Sequence, residues 1–109
     1  MISQSQINDV ISKIVTYYKP EKILLFGSYA NGTATEDSDL DLLVVKNSDL
    51  PRYKRALELR RYLRPFKFLF PIDLLVFTNE ELVNQSTSSF SFANDVLSTC
   101  KIVYEKKRF

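Results

Sequence analysis

Residues 23–45 read ILLFGSYANGTATEDSDLDLLVV, and this stretch decides the fold. Ile23–Phe26 is a short continuous apolar run closed by Gly27, the pattern of a buried strand. Leu40–Val45 is a second such run. Between them, residues 27–39 hold both glycines of the chain among serine, threonine, asparagine and aspartate. Those residue types favour turns and local side chain–backbone hydrogen bonds, so the segment reads as a functional loop with room for a single helical turn.

Upstream, Ile7, Val10, Ile11, Ile14, Val15 and Tyr18 recur at helical spacing and form one apolar stripe. Ser3 with Gln6 is a capping box at its start, and Pro20 stops it. Downstream, Leu50–Leu63 is a second helix with Pro51 in its first turn. Pro71 introduces a third strand, Ile72–Phe77. Thr78 then caps a short helix through Glu80, Glu81 and Leu82, with Glu81 at the capping-box position. The serine-rich stretch Gln85–Ser91 is a loop or the frayed start of a last helix ending near Thr99. Ile102–Tyr104 adds an edge strand. The order predicts one α/β (α+β) domain over residues 1–109, a small mixed sheet of three to four strands with helices mainly on one face.

Composition narrows the chemistry. The chain has no histidine, which excludes the usual neutral-pH general base, every Ser-His or Cys-His nucleophile and His-ligated zinc. Its chemistry must run on carboxylates, hydroxyls, backbone groups, lysine and arginine. A net charge of +2 is too small to argue for nucleic acid. No apolar run approaches the roughly 18 residues of a membrane span, and MISQSQINDV lacks the basic and apolar regions of a secretory leader. One cysteine, Cys100, cannot form an internal disulfide, so a cytoplasmic location is expected.

Three acids stand where a sheet would present them together. Asp39 and Asp41, two apart at the head of the second strand, leave the same face, and Asp73 sits near the start of the third. Mg²⁺ takes oxygen ligands from a few carboxylates plus substrate phosphates, and two such ions can flank an in-line displacement. Asp39 and Asp41 would bridge both ions and Asp73 complete the catalytic one. Asp73 is also the best-placed proton acceptor. Gly27-Ser28, directly after the first strand, would let backbone approach a phosphate and add N–H and hydroxyl donors. Each piece alone has a plain structural reading, as a turn, a cap or a strand end. Their combination does not.

That combination resembles the signature of the polymerase-β-like nucleotidyltransferase superfamily: Gly27-Ser28, ten residues, then Asp39-x-Asp41 and an apolar strand. Ala30, Gly32 and Ser38 match the form of its smallest members, Asp73 in Ile72–Val76 matches the later third acid, and Lys101–Glu105 is similar to the end of the minimal nucleotidyltransferase (MNT) group. The resemblance covers nearly the whole chain. It implies Gly27, Ser28 and Ser38 as nucleotide-binding residues, and Asp39, Asp41 and Asp73 as the catalytic, metal-holding triad. It also implies two Mg²⁺ ions with ATP as substrate, and an antitoxin that attaches AMP to a HEPN-type toxin partner in a hetero-oligomer. Tyr29 and Asn31 depart from it, standing where many small members have arginine. Two other readings stay open: a non-catalytic module that neutralises its partner by occlusion, and an aminoglycoside-type small-molecule nucleotidyltransferase.

Arg52, Lys54, Arg55, Arg60, Arg61, Arg64 and Lys67 crowd one segment with a single acid, Glu58. They read as a solvated helix face, or as a surface for an acidic partner or nucleotide phosphates. Phe66, Phe68 and Phe70 read as core-edge packing, an early strand start or an exposed partner patch. Cys100 and Tyr104 read as packing residues.

Overall fold

A computed structural model describes residues 1–86 and 100–107. The first helix, α1 (Gln4–Tyr18), starts where its capping box forms: the Gln6 N–H donates to Ser3 Oγ at 3.1 Å, and the Ser3 N–H donates to Gln6 Oε1 at 2.8 Å. Its stripe of Ile7, Val10, Ile14 and Tyr18 is buried. Lys19 adopts a left-handed conformation at φ 54° and Pro20 follows, so the helix cannot continue.

β1 (Lys22–Phe26), β2 (Leu40–Val45) and β3 (Ile72–Phe77) form the centre of a mixed sheet. β4 (Lys101–Glu105) completes it in the order β3-β2-β1-β4. β1 runs antiparallel to β2 and β4, while β2 and β3 are parallel, joined through α3 (Arg52–Leu63). A parallel pair needs such a crossover, because a tight turn cannot return the chain to the same end. The short turn α2 (Ser28–Asn31) follows β1, and α4 (Asn79–Ser86) follows β3.

Alternation along β2 divides the interior. Leu40, Leu42 and Val44 pack with the stripe of α1 and with Leu59 and Leu63 of α3. Leu43 and Val45 join Leu24, Phe26 and Phe77 on the opposite face, where Leu82 and Cys100 pack against them. A strand covered on both faces has no polar position to spare, which explains the uninterrupted LLVV.

Pro51 is the N-cap rather than part of the first turn: its ψ of 157° is extended, and the amides of Lys54 and Arg55 donate back to its carbonyl. Arg64–Phe66 is a 3₁₀ turn, and Phe68 and Phe70 pack against the core edge before the strand begins at Ile72. Cys100 and Tyr104 are half-buried. The last helix expected to end near Thr99 lies outside the described residues.

Candidate active site

β1 ends, and β2 and β3 begin, at one edge of the sheet. Asp41 stands in register with Phe26 on one side and with Asp73 on the other. Neighbouring positions of paired strands project to the same face about 5 Å apart, so Asp41 and Asp73 share the side away from α1 and α3. Asp39, two residues earlier, leaves the β2 end on that side. Asp41 is half-buried, whereas Asp39 and Asp73 are exposed.

Gly27 follows Phe26 and lies directly under Asp41. A Cβ built on it would overlap the Asp41 carboxylate oxygen and stand 3.2 Å from its Cγ. Its φ of 72° with ψ of −154° belongs to a region open in practice to glycine alone. Glycine is therefore required twice, once by the backbone and once by the neighbour. The chain then makes the single turn α2, in which the Ala30 and Asn31 amides donate to the Gly27 carbonyl at 3.0 and 3.2 Å. The N–H groups of Ser28 and Tyr29 precede these bonds, as the first amides of any helical turn do.

Burial pushes the Asp41 carboxyl above its ordinary range, and the charges of Asp73 and then Asp39 add to the effect. Two carboxylates facing one half-buried third are the electrostatic condition a cation relieves. Among the described residues, no three acid, cysteine or histidine side chains close into a ready cage. The donor set fits Mg²⁺, which keeps water and substrate phosphate among its ligands and is seldom enclosed by protein alone.

The remaining loop residues divide. Ser38 Oγ accepts from the Thr35 N–H at 2.8 Å, and the Ser38 N–H donates to the Thr35 carbonyl at 3.1 Å, closing the turn that delivers Asp39. The Tyr29 hydroxyl accepts from the Ile2 N–H at 2.9 Å, tying the loop to the start of the chain. Asn31 Oδ1 accepts from Thr33. Thus Tyr29 and Asn31 serve the loop's own shape.

One residue behind the site departs from the expected basic face. Arg55 is only 4% exposed rather than part of a solvated basic face. Its guanidinium donates to both carboxylate oxygens of Glu81 at 2.6 and 2.9 Å, to the Val76 carbonyl at 2.7 Å and to the Leu50 carbonyl at 2.9 Å. It therefore ties α3 and α4 to β3, the strand that carries Asp73. The signal was present: Arg55, Leu59 and Leu63 recur every four residues on the buried stripe of α3.

The sequence pattern of the nucleotidyltransferase domain matches residues 6–107, nearly the whole chain. This chain belongs to that family. A Methanocaldococcus jannaschii protein named provisionally as a protein adenylyltransferase is 32% identical over 106 residues, covering 95% of this chain and all of the relative. A solved Sulfolobus solfataricus structure, described provisionally as a nucleotidyltransferase, superposes with a TM-score of 0.64 at 16% identity, covering 92% of this chain and 78% of the other. A toxin–antitoxin structure with AMP-PNP superposes with a TM-score of 0.52 at 23% identity, covering 92% and 73%. At those identities the two structures share the fold. The protein is a nucleotidyltransferase enzyme of mixed α/β architecture, and no helix among its described residues is long and apolar enough to cross a membrane.

Proposed function

We propose that this nucleotidyltransferase moves AMP from ATP onto a hydroxyl of a partner protein, as the antitoxin of a HEPN-type toxin with which it forms a hetero-oligomer. Asp39, Asp41 and Asp73 hold two Mg²⁺ ions, and Gly27, Ser28 and Ser38 serve the nucleotide. The observation that carries the reading is the in-register pair Asp41 and Asp73 beside a glycine that tolerates no side chain. The name of the M. jannaschii relative and the toxin–antitoxin neighbour with AMP-PNP support the choice of AMP and of a protein acceptor.

Bound Mg²⁺ supplies charge neutralisation at the phosphate oxygens. The chain's own residues do the rest. Gly27 admits the triphosphate close to the backbone, and the Ser28 hydroxyl with the first amides of α2 orients it. Asp73, exposed at its strand end, takes the proton of the acceptor hydroxyl while that oxygen bonds to the α-phosphorus. The bond from that phosphorus to the bridging oxygen breaks, and pyrophosphate leaves with the electron pair. With no histidine in the chain, a carboxylate is the natural proton acceptor.

The test is to incubate the protein with the product of the adjacent gene, ATP and Mg²⁺, then measure intact masses. A gain of one or more AMP units on the partner, abolished by EDTA and by Asp41→Asn, is the expected result. A tight complex without any mass change would replace transfer by occlusion.

A further inference from the structure

On the other face of the sheet from the aspartates lies a groove of about 290 Å³. Leu63, Phe68 and Phe70 form its floor, and Arg60, Arg64 and Lys67 its rim. Ile72 and Leu74, which flank Asp73 on β3, close its end. Because side chains alternate along a strand, these two point into the groove while Asp73 points away.

The charge on the rim of this groove is unexplained by folding. Arg64 and Lys67 are exposed, and among the described residues none of the three rim cations forms an ion pair; the four salt bridges involve other basic groups. Arg60 donates only to the Ile72 carbonyl, at 3.2 Å. Unneutralised cations around an apolar floor make a surface complementary to carboxylates carried next to an apolar side chain.

Size and ring geometry choose among occupants. The volume lies just below the range of about 300–1,000 Å³ typical of small-molecule sites, enough for one or two side chains. A stacking platform for single-stranded RNA needs open aromatic faces. Here Phe66, Phe68 and Phe70 are half-buried and tilted against one another, with centroids 6.3 and 5.7 Å apart, and Lys13 sits over Phe66.

We infer that this groove docks an acidic segment of the protein that receives the nucleotide, with one apolar or aromatic side chain on the floor and carboxylates on the rim. The inference rests on the proposed transfer to a protein hydroxyl and adds how that protein is recognised. β3 is an outer strand of the sheet, so a segment seated here can pass around it to the aspartate face. Crossing one sheet layer takes about 10 Å, or about three extended residues. The modified hydroxyl therefore lies a few residues from the acidic anchor.

The test measures fluorescence anisotropy with the full chain and three labelled probes. These are a short Glu/Asp peptide with a central Phe, the same peptide with Lys for every acid, and a single-stranded oligouridine RNA. Saturable, salt-sensitive binding of the acidic peptide is expected, weakened about tenfold or more in the double variant Arg64→Glu, Lys67→Glu. Both positions are exposed, and an unchanged circular dichroism spectrum confirms the fold. Equal binding by the variant, no saturable binding of the acidic peptide, or tighter binding of RNA each overturns the inference. With the protein acceptor, the same variant should raise its KM while leaving kcat and the KM for ATP unchanged. Peptide binding without transfer to any protein would sink the proposed function and leave the groove's specificity standing.

Discussion

The bidentate pair behind the site allows a stability prediction with a number attached. In Glu81→Gln the side chain keeps an acceptor for the Thr78 N–H, which Glu81 Oε1 accepts at 2.9 Å, so the change removes charge more than hydrogen-bonding shape. The Arg55 hydrogen bonds, and then the Thr78 amide and the charges of Arg55 and Arg52, hold the Glu81 carboxyl down from its ordinary 4.5 to about 2, against an opposing effect of burial. That depression corresponds to about 3 kcal/mol of folded-state stabilisation at neutral pH. Glu81 is 30% exposed, so solvent screening lowers the figure. Removing one partner of a well-buried pair costs about 3–5 kcal/mol, and Arg55 retains two carbonyl acceptors. The expected loss is about 2–3 kcal/mol, a large share of the roughly 5–15 kcal/mol that holds a domain folded. Because the folded value is depressed, the stabilisation is complete above pH 4.5 and fades as pH falls toward about 2. Urea unfolding at neutral pH should therefore show the full gap between wild type and variant, and the gap should shrink through the acid range. A gap below about 0.5 kcal/mol at neutral pH, or one indifferent to acid, would refute the reasoning.

Three further outcomes follow from the same physics. Asp41→Asn removes a half-buried charge that repels Asp73 and Asp39, so it should unfold at equal or higher urea while transfer falls about 100-fold or more; retained activity would remove Asp41 from the metal site. Gly27→Ala should lose about 1–3 kcal/mol from φ strain, with more from collision with Asp41, and should weaken ATP binding by calorimetry; wild-type values for both would contradict the tight fit. The buried Tyr18 hydroxyl has no hydrogen-bond partner among the described residues, and burial pushes its pKa from 10.0 up to about 12, with Glu58 adding to the rise. Tyr18→Phe should then be neutral or stabilising by up to about 1 kcal/mol, and should remove the part of the stability loss that sets in as pH rises from 10 toward 12; a clear destabilisation would reveal an unseen partner.

What could be read in advance divides by the range of the interactions involved. Capping at Ser3 and Thr78, the apolar stripe of α1 and the runs of β1–β3 are local, and the residues announce them. Asp41 and Asp73 were legible as a pair because a strand, a helix and a strand in succession return the chain parallel. The antiparallel pairing of β1 with β2 was not legible, since no two-residue turn in residues 27–39 sets a register. The place of β4 beside β1 was equally hidden, because a terminal strand can extend either side of a sheet.

Arg55 teaches the sharper lesson. Read by charge, it joins six neighbours on a wet surface; read by position, it falls on the stripe of Leu59 and Leu63 and must be buried. Position prevails because the helix packs as a unit, and a buried guanidinium then needs acceptors in number. Glu81, Val76 and Leu50 supply them from three parts of the chain, no two of which are adjacent in sequence. The same residue type further along, at Arg60 and Arg64, leaves that stripe and borders the groove. One basic run thus does two jobs, divided by helical phase: Arg55 steadies the strand that presents Asp73, while Arg60 and Arg64 face outward and form no ion pair among the described residues. Charge content alone could not separate them, but a spacing of four residues does.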